Sequence, residues 1–178
     1  MSKVEKSEMQ LVQTGFSLGS NVGGRLRLLS QAKTLLLMDP AVRFVDQSSA
    51  YETEPVDVKK EHRALKFINA VLIVESPYTS EEWLPKIKKI EDTLHRVRTD
   101  DRNAPRTIDV DILFVGDEVV DSDLLQIPHP RWAERRFVVE PLAEVRGDFV
   151  MPNSTCPVRK ILEQMSASDD VRLFSEKW

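Results

Sequence analysis

The fold is best deduced from the segment Arg106-Thr107-Ile108-Asp109-Val110-Asp111-Ile112-Leu113-Phe114-Val115, in which β-branched, aromatic and aliphatic residues follow one another. This composition predicts a β-strand that is buried on at least one face. Asp109 and Asp111 stand at alternate positions, so both carboxylates project from the same face, with Cα atoms roughly 6.6 Å apart. Two such anions repel each other unless a cation lies between them. The segment therefore predicts a strand with a candidate site for Mg²⁺, which takes oxygen ligands and commonly shares its shell with phosphate.

A cluster of arginines precedes this strand. It consists of Arg96, Arg98, Arg102 and Arg106. The polar loop 99–105 ends in a proline, which predicts an exposed and mobile connection. Carboxylates for a metal beside guanidinium groups for phosphate form the arrangement that phosphoryl transfer requires. The alternative, a solvated sheet face with surface ion pairs, stays open on these residues alone.

Length and composition limit the possible classes of protein. A chain of 178 residues suits a single domain, which we place at residues 11–178, after a charged and disordered lead-in at residues 1–10. The net charge of −4 argues against broad binding to nucleic acid or anionic membranes. Cys156 is the single cysteine and cannot form an internal disulfide, which is consistent with the cytoplasm. No apolar run approaches the roughly 18 residues that cross a membrane.

The order of predicted elements indicates an α+β fold. Strands are predicted at 11–18, 42–51, 67–74 and 108–115, and helices at 25–38 and 79–96. A short edge strand at 118–121, a helix at 156–165 and a strand at 171–174 follow. The first six elements give β-α-β-β-α-β, a ferredoxin-like core with a mostly antiparallel sheet and helices packed on it.

The helix at 79–96 carries the clearest local signals. Thr79 and Glu82 have the spacing of a capping box at its start. Its predicted apolar stripe, which faces the core, consists of Leu84, Ile87, Ile90 and Leu94, and Glu91 lies one residue away from it. Pro85 should kink the helix or move the start of its regular part to a later residue.

Three local features allow two interpretations each. Asn69 is the one polar residue of its strand, and such an amide serves either a structural hydrogen bond or a ligand. His129 lies beside Arg135 and two aromatic residues, as a surface histidine or as one wall of a site. Gly19-Ser20-Asn21 opens a glycine-rich turn that matches neither the dinucleotide fingerprint nor the P-loop, and a simple turn is the favoured interpretation.

Several separated motifs together resemble the 6-hydroxymethyl-7,8-dihydropterin pyrophosphokinase family of folate biosynthesis. The resemblance extends from about residue 11 to residue 178. The motifs are Phe16-Ser17-Leu18-Gly19-Ser20-Asn21, Phe67-Ile68-Asn69-Ala70, Ile90-Glu91, Arg96-Val97-Arg98, 105–113, Ile127-Pro128-His129-Pro130, Arg135-Arg136-Phe137 and Pro141-Leu142. Each motif is modest alone, but their order and spacing are specific.

The resemblance implies an activity and a set of site residues. The family transfers pyrophosphate from ATP to the hydroxymethyl group of the pterin and releases AMP. The implied catalytic residues are Arg96, Arg106, Asp109 and Asp111, of which Asp109 and Asp111 would hold two Mg²⁺ ions. The implied ATP and phosphate contacts are Arg98, Arg106, His129 and Arg135. The implied pterin contacts are Thr53, Phe67, Asn69 and Phe137, with the two phenylalanines on opposite faces of the ring.

The sequence departs from the family pattern at three places. Asn103-Ala104 stands where the family often has Trp-Gly, Val56-Asp57 ends a loop that usually contains glycine, and His95 replaces a usual glycine. None of these positions belongs to the aspartate pair, so we expect an active enzyme. We expect it to be a monomer that binds small molecules and neither nucleic acid nor a membrane.

Three other functions compete with this interpretation. A homologue that binds pterin and ATP with impaired catalysis would keep most of these motifs. A ferredoxin-like nucleic-acid-binding module would need stacking aromatics in a basic field, which the acidic net charge opposes. A nucleotidyltransferase also combines a Gly-Ser turn with an Asp-x-Asp strand, but there the two motifs lie about a dozen residues apart, whereas Ser20 and Asp109 are far separated here.

Overall fold

The computed structural model describes residues 10–56, 58–101, 103–166 and 170–178. Its strands are β1 Val12–Ser20, β2 Arg43–Gln47, β3 Ala50–Thr53, β4 Phe67–Ser76, β5 Asp109–Val115, β6 Val120–Asp121, β7 Gln126–Ile127 and β8 Val171–Ser175. Its α-helices are α1 Arg25–Leu37, α2 Ser80–Thr93, α3 Arg136–Arg146 and α4 Val158–Gln164, with short 3-10 helices at Lys60–His62 and Trp132–Glu134. The predicted lead-in lies outside the described residues, apart from Gln10.

The main sheet is antiparallel and has the strand order β5-β1-β4-β3-β8, with β2 pairing with β4 next to β3. Because β2 and β3 follow the same edge of β4, they occupy the place of one strand. The order is then that of a ferredoxin-like core, and the predicted α+β fold is confirmed.

The predicted strand 42–51 is wrong as one element, because it is divided between β2 and β3. Ser48 lies between the two strands. Its N–H donates to the carbonyl of Val71 at 2.9 Å, and its Oγ accepts from the N–H of Val71 at 2.9 Å. The side-chain oxygen thus takes the place of a backbone carbonyl and interrupts the regular ladder.

The two faces of the sheet carry different layers. On one face, α1 and α2 pack against strand residues such as Phe16, Leu18 and Leu72. On the opposite face, α3 and α4 pack against Val71 and Leu113. Side chains alternate between the faces along each strand, so the polar residues of β1, β4 and β5 continue this second face beyond its apolar part.

Helix α2 begins with the predicted capping box, in which Thr79 Oγ accepts from the N–H of Glu82 at 3.3 Å. The helix runs from Ser80 through Pro85, whereas the proline had suggested that its regular part begins at a later residue. Leu84 was predicted to face the core, but it is 37% exposed and Trp83 is buried instead. The indole N–H of Trp83 donates to Thr14 Oγ1 at 3.2 Å, which gives the larger side chain a polar partner inside the core.

The segment after the main strand forms a separate ribbon. A turn follows β5, with Gly116 at φ +47 and the N–H of Glu118 bonded to the carbonyl of Val115. The predicted edge strand 118–121 is shortened to β6, which pairs with β7 in a two-stranded sheet of its own. No helix in the described ranges is long and apolar enough to cross a membrane.

Candidate active site

Asp109 and Asp111 lie side by side on the second face of the sheet, at the start of β5. In the β1–β5 register they stand opposite Gly19 and Ser17, which are small residues that leave the carboxylates uncovered. Three cavities meet at this point, and both aspartates line all three. All eleven site residues predicted from the sequence line at least one of these cavities.

The two carboxylates have different surroundings. Asp109 forms ion pairs with Arg96 and with Arg106, whose Nε lies 3.1 Å from Asp109 Oδ2. Asp111 forms no hydrogen bond or ion pair with another described side chain. Burial, followed by the charge of Asp109, raises the pKa of Asp111, and the nearby arginines only partly offset this effect.

The aspartate pair fits a hard cation that brings further ligands with it. Within the described ranges, no group of three or more His, Cys, Asp or Glu side chains could hold a metal ion. Two carboxylates alone leave most of an octahedral shell to other oxygens. Mg²⁺ is commonly held in this way, by one or two carboxylates and the phosphates of a substrate. Carboxylates that are buried side by side to hold a cation have raised pKa values when no cation is bound, and Asp111 has such a raised pKa.

The first cavity, of about 190 Å³, contains the residues predicted to bind the pterin. Asn69 is 5% exposed, and its Nδ2 donates to Thr53 Oγ1 at 2.7 Å. This bond fixes the amide so that Oδ1 lies above Gly19, where a Cβ would be 2.8 Å away. The cavity therefore has a buried and oriented amide at its base, as recognition of a heterocycle edge requires.

Phe67 and Phe137 line the same cavity and are both half-buried. Each ring carries an arginine against its face: the guanidinium of Arg106 lies 5.3 Å from the centroid of Phe67, and that of Arg135 lies 5.6 Å from the centroid of Phe137. A flat ring between two aromatic walls gains offset stacking. The cation–π contacts also connect the aromatic part of the site to its cationic part.

The cationic residues line the cavity on the other side of the aspartates. They are Arg96, Arg98, Arg106, Arg131 and Arg135, and the imidazole of His129 lines the same cavity. Burial, and then the neighbouring Arg131, lowers the pKa of Arg135. Burial lowers the pKa of Arg96, but the charges of Asp109 and Glu91 together outweigh burial and raise this pKa above the ordinary value. The concentration of guanidinium groups predicts an affinity for a polyanion.

His129 is neutral in this site and has a defined tautomer. Burial, and then the charges of Arg135 and Arg131, lowers its pKa to about 4. Its Nδ1 accepts from the N–H of Arg131 at 3.2 Å, so the proton of the neutral ring is on Nε2. Nε2–H can then donate to a phosphate oxygen in the cavities that His129 lines.

Residues from two of the three departures from the family pattern line these cavities. Asn103 lines two of the cavities, while Val56 is 58% exposed at the rim of the first. His95 has φ +60, the left-handed conformation that glycine adopts most easily. Asp57, and Arg102 of the arginine cluster, lie outside the described residues. Exposure of the loop is confirmed at Thr99 and Asp100, whereas its mobility stays a prediction.

Sequence reasoning missed the importance of two residues. Glu91 was placed beside the apolar stripe of its helix and named in one motif without a role, yet it is 2% exposed and forms ion pairs with Arg96 and Arg98. Asn21 was taken as part of a simple turn, but its Oδ1 accepts from the N–H of Arg106 at 2.8 Å and fixes the entry to β5. The motifs Ile90-Glu91 and Gly19-Ser20-Asn21 were the available signals.

A sequence profile of the 7,8-dihydro-6-hydroxymethylpterin-pyrophosphokinase family (HPPK) matches residues 15–147. The chain belongs to this family. The 2-amino-4-hydroxy-6-hydroxymethyldihydropteridine pyrophosphokinase of Bacillus subtilis is 40% identical over 129 residues, which cover 72% of this chain and 75% of that protein. The folic acid synthesis protein fol1 of Pneumocystis carinii is 35% identical over 153 residues, or 86% of this chain and 20% of that protein.

Among solved structures, wild-type HPPK-DHPS of Plasmodium falciparum, crystallised with pterin and p-hydroxybenzoate, has a similar fold. Its TM-score is 0.67 at 16% identity, over 89% of this chain and 44% of that one. This likeness concerns the fold alone. The chain spans about a fifth of the two fol1 proteins that it matches, from Pneumocystis carinii and Schizosaccharomyces pombe.

Proposed function

We propose that this member of the HPPK family transfers the pyrophosphoryl group of ATP to 6-hydroxymethyl-7,8-dihydropterin. The observation that carries the proposal is the meeting of three cavities at Asp109 and Asp111. One cavity has the aromatic walls and the buried amide that suit a pterin. The others have the cations that suit a triphosphate. The reacting oxygen and the β-phosphorus would therefore come together next to the aspartate pair.

Family membership supports the choice of reaction. The Bacillus subtilis relative is named for the pyrophosphokinase activity and is similar to this chain over three quarters of its own length. In the proposed reaction, the hydroxymethyl oxygen attacks the β-phosphorus of ATP, and the bond from the β-phosphorus to the bridging oxygen of the α-phosphate breaks. AMP leaves with that oxygen, the hydroxyl proton is released to solvent, and the pterin diphosphate is formed.

The arginines would bind and stabilise the triphosphate. Arg96 and Arg106 already lie against Asp109. The phosphate oxygens that gain negative charge in the transition state would lie next to this aspartate. Arg98 and Arg135 add charge further along the cavity, and His129 donates through Nε2–H. Fixed cations of this kind stabilise a phosphoryl-transfer transition state without reorganisation.

Asp109 and Asp111 would hold Mg²⁺, for which we propose two ions bound together with ATP. When bound, this metal would lower the pKa of the attacking hydroxyl and neutralise phosphate charge. Before the metal binds, Asp109 also orients Arg96 and Arg106 through its two ion pairs. No separate general base is assigned.

The pterin would lie between Phe67 and Phe137 with its amide-like edge on Asn69. The bond from Asn69 Nδ2 to Thr53 leaves Oδ1 as the acceptor for ring N–H groups. Since the amide is held before binding, the pterin loses little affinity to reorganisation of the site.

The nucleoside end of ATP would occupy the widest cavity, of about 820 Å³. Its apolar lining includes Leu84, Ile112 and Leu124. Leu84 and Leu124 are 37% and 91% exposed, so they offer apolar surface to a purine ring.

Several broader properties stay proposals. Residues 11–178 would act as a single catalytic domain, which the continuous main sheet supports, and the protein would be a monomer. A cytoplasmic location is supported by the single cysteine, and the absence of nucleic-acid binding by the net charge of −4. The chain's partners would then be its two small-molecule substrates.

The test is the formation of AMP from ATP, MgCl₂ and 6-hydroxymethyl-7,8-dihydropterin, measured by chromatography. We expect AMP only when all three are present. Tight Mg²⁺-dependent binding of ATP without AMP would instead favour a homologue with impaired catalysis, in which the altered loops fail to close the site. The absence of both AMP formation and ATP binding would contradict the proposal.

A further inference from the structure

Glu91 is a buried carboxylate that the reaction described above does not use. We propose that Glu91 is a positioning residue for Arg96: it keeps this guanidinium in the site while Asp109 exchanges the arginine for the metal that arrives with ATP. The inference rests on the proposed function, because it concerns the phosphate side of the same site.

The contacts of Glu91 connect helix α2 to the arginines and to the aspartate strand. Its Oε1 accepts from Arg96 Nη1 and from the N–H of Val110, at 3.1 Å in the second case. Its Oε2 accepts from Arg98 Nη2 at 2.6 Å. Val110 lies between the two aspartates, so the carboxylate is fixed directly behind the candidate metal site.

Arg96 stands between two carboxylates. Its Nη1 contacts both Glu91 and Asp109, and its side chain is only 13% exposed. The backbone reinforces this placement, since the N–H of Arg96 donates to the carbonyl of Glu91 at 2.9 Å as α2 ends. The guanidinium is thus held next to Glu91 by its own helix terminus.

This bridge creates a competition for Asp109. A cation bound by Asp109 must share that carboxylate with Arg96 or displace it. If Asp109 were the only anion next to Arg96, displacement would leave a largely buried guanidinium without a counterion, which is costly. Glu91 removes most of that cost, because it stays paired with Arg96 when Asp109 turns to the metal. Arg96 is then free to contact phosphate with its remaining donors.

The test measures how binding of α,β-methylene-ATP depends on the Mg²⁺ concentration, by isothermal titration calorimetry. For Glu91→Gln we expect half-maximal binding to require about tenfold more Mg²⁺, the size of effect typical of residues that support a metal ligand. Asp92→Asn is the matched control, since it removes the same charge from the next residue of α2, which is exposed. We expect this control to bind as the wild type does.

A second background shows whether the effect acts through Arg96. In an Arg96→Met protein, the substitution Glu91→Gln should change the Mg²⁺ requirement less than about twofold, because the competing guanidinium is gone. A tenfold change in both backgrounds would overturn the proposal.

Circular dichroism establishes whether Glu91→Gln is folded. If it is not, Glu91→Asp replaces it, since this variant keeps the charge but is too short to contact Arg96 and Arg98 together. At least a threefold higher Mg²⁺ requirement is expected. An unchanged requirement in the folded variant would overturn the role of Glu91. Failure of the wild type to bind the analogue with Mg²⁺ would instead overturn the proposed function itself.

Discussion

Gly19 and Asn69 stand opposite each other in the β1–β4 register, and a Cβ on Gly19 would lie 2.8 Å from Asn69 Oδ1. A contact this short requires the amide to move. The amide is also held from the other side by Thr53, at 2.7 Å from Nδ2. Gly19 is therefore required for the shape of the pterin cavity, and its role is to allow a close approach between a side chain and the backbone.

We predict that Gly19→Ala weakens pterin binding about fivefold or more, because losing one oriented hydrogen bond costs about 1 kcal/mol or more. Affinity for α,β-methylene-ATP should change little. Fluorescence titration with the pterin and calorimetry with the nucleotide give the two values. Gly24→Ala is the control, since the nearest atom to its added Cβ is 3.7 Å away. Equal pterin affinity in wild type and Gly19→Ala would show that the amide does not bind the pterin.

Asp111→Asn should abolish turnover and yet stabilise the metal-free protein above neutral pH. Burial and Asp109 raise the pKa of Asp111 from its ordinary value of 3.8, so the folded state disfavours the charged carboxylate. This cost is absent at pH 3, where the group is protonated whether folded or not, and is fully present above the folded pKa. The gain in Tm over wild type should therefore grow from pH 4 to pH 8, in EDTA.

Asp117→Asn serves as the control for this pair of measurements, because Asp117 is an exposed residue outside the site. It should keep the turnover of the wild type. An Asp111→Asn protein with near-normal turnover would mean that Asp111 does not hold the metal.

His95→Gly should raise the free energy of unfolding by about 1 kcal/mol, because a non-glycine residue at φ +60 carries a cost of about that size. Thr93→Gly, at the last residue of α2, should instead lower stability by about 0.5 kcal/mol, since glycine is a poorer helix former than threonine. Urea denaturation of the two variants gives both values. A loss of stability in both would indicate that the His95 side chain makes a contribution greater than its backbone cost.

His129 should make stability depend on pH in the mildly acidic range. Its pKa is lowered from 6.5 to about 4, so the unfolded chain takes up a proton before the folded chain does. The stability associated with neutral His129 is then complete above pH 6.5 and is lost as the pH falls toward 4. His129→Asn, whose Oδ1 can replace Nδ1 as the acceptor for Arg131, should flatten the curve over this interval. Parallel curves of Tm against pH would contradict the assignment.

The sequence predicted the core fold because each element carried a local signal. Alternation in β5, the capping box of Thr79 and the hydrophobic run of β4 were sufficient, and all eleven site residues that the resemblance implied line the cavities. The division of β2 from β3 was not predictable in this way, because it depends on a hydrogen bond between Ser48 and Val71, which are distant in sequence.

Prediction from the sequence failed for a similar reason at Glu91 and Leu84 of helix α2. Periodicity placed Leu84 inside and left Glu91 at the edge, but the structure buries Glu91 and exposes Leu84. A carboxylate can be buried where two arginines and a backbone N–H converge on it, and those partners come from the following loop and from β5. Helical spacing contains no information about such partners.

The most direct test of the central claim is ³¹P NMR of a reaction with ATP, MgCl₂ and 6-hydroxymethyl-7,8-dihydropterin. We expect resonances of AMP and of a pterin diphosphate ester in equal amounts. With the Asp111→Asn protein, we expect the resonances of ATP and of neither product. ADP together with a pterin monophosphate, or turnover that survives in Asp111→Asn, would contradict pyrophosphoryl transfer at the Asp109–Asp111 site.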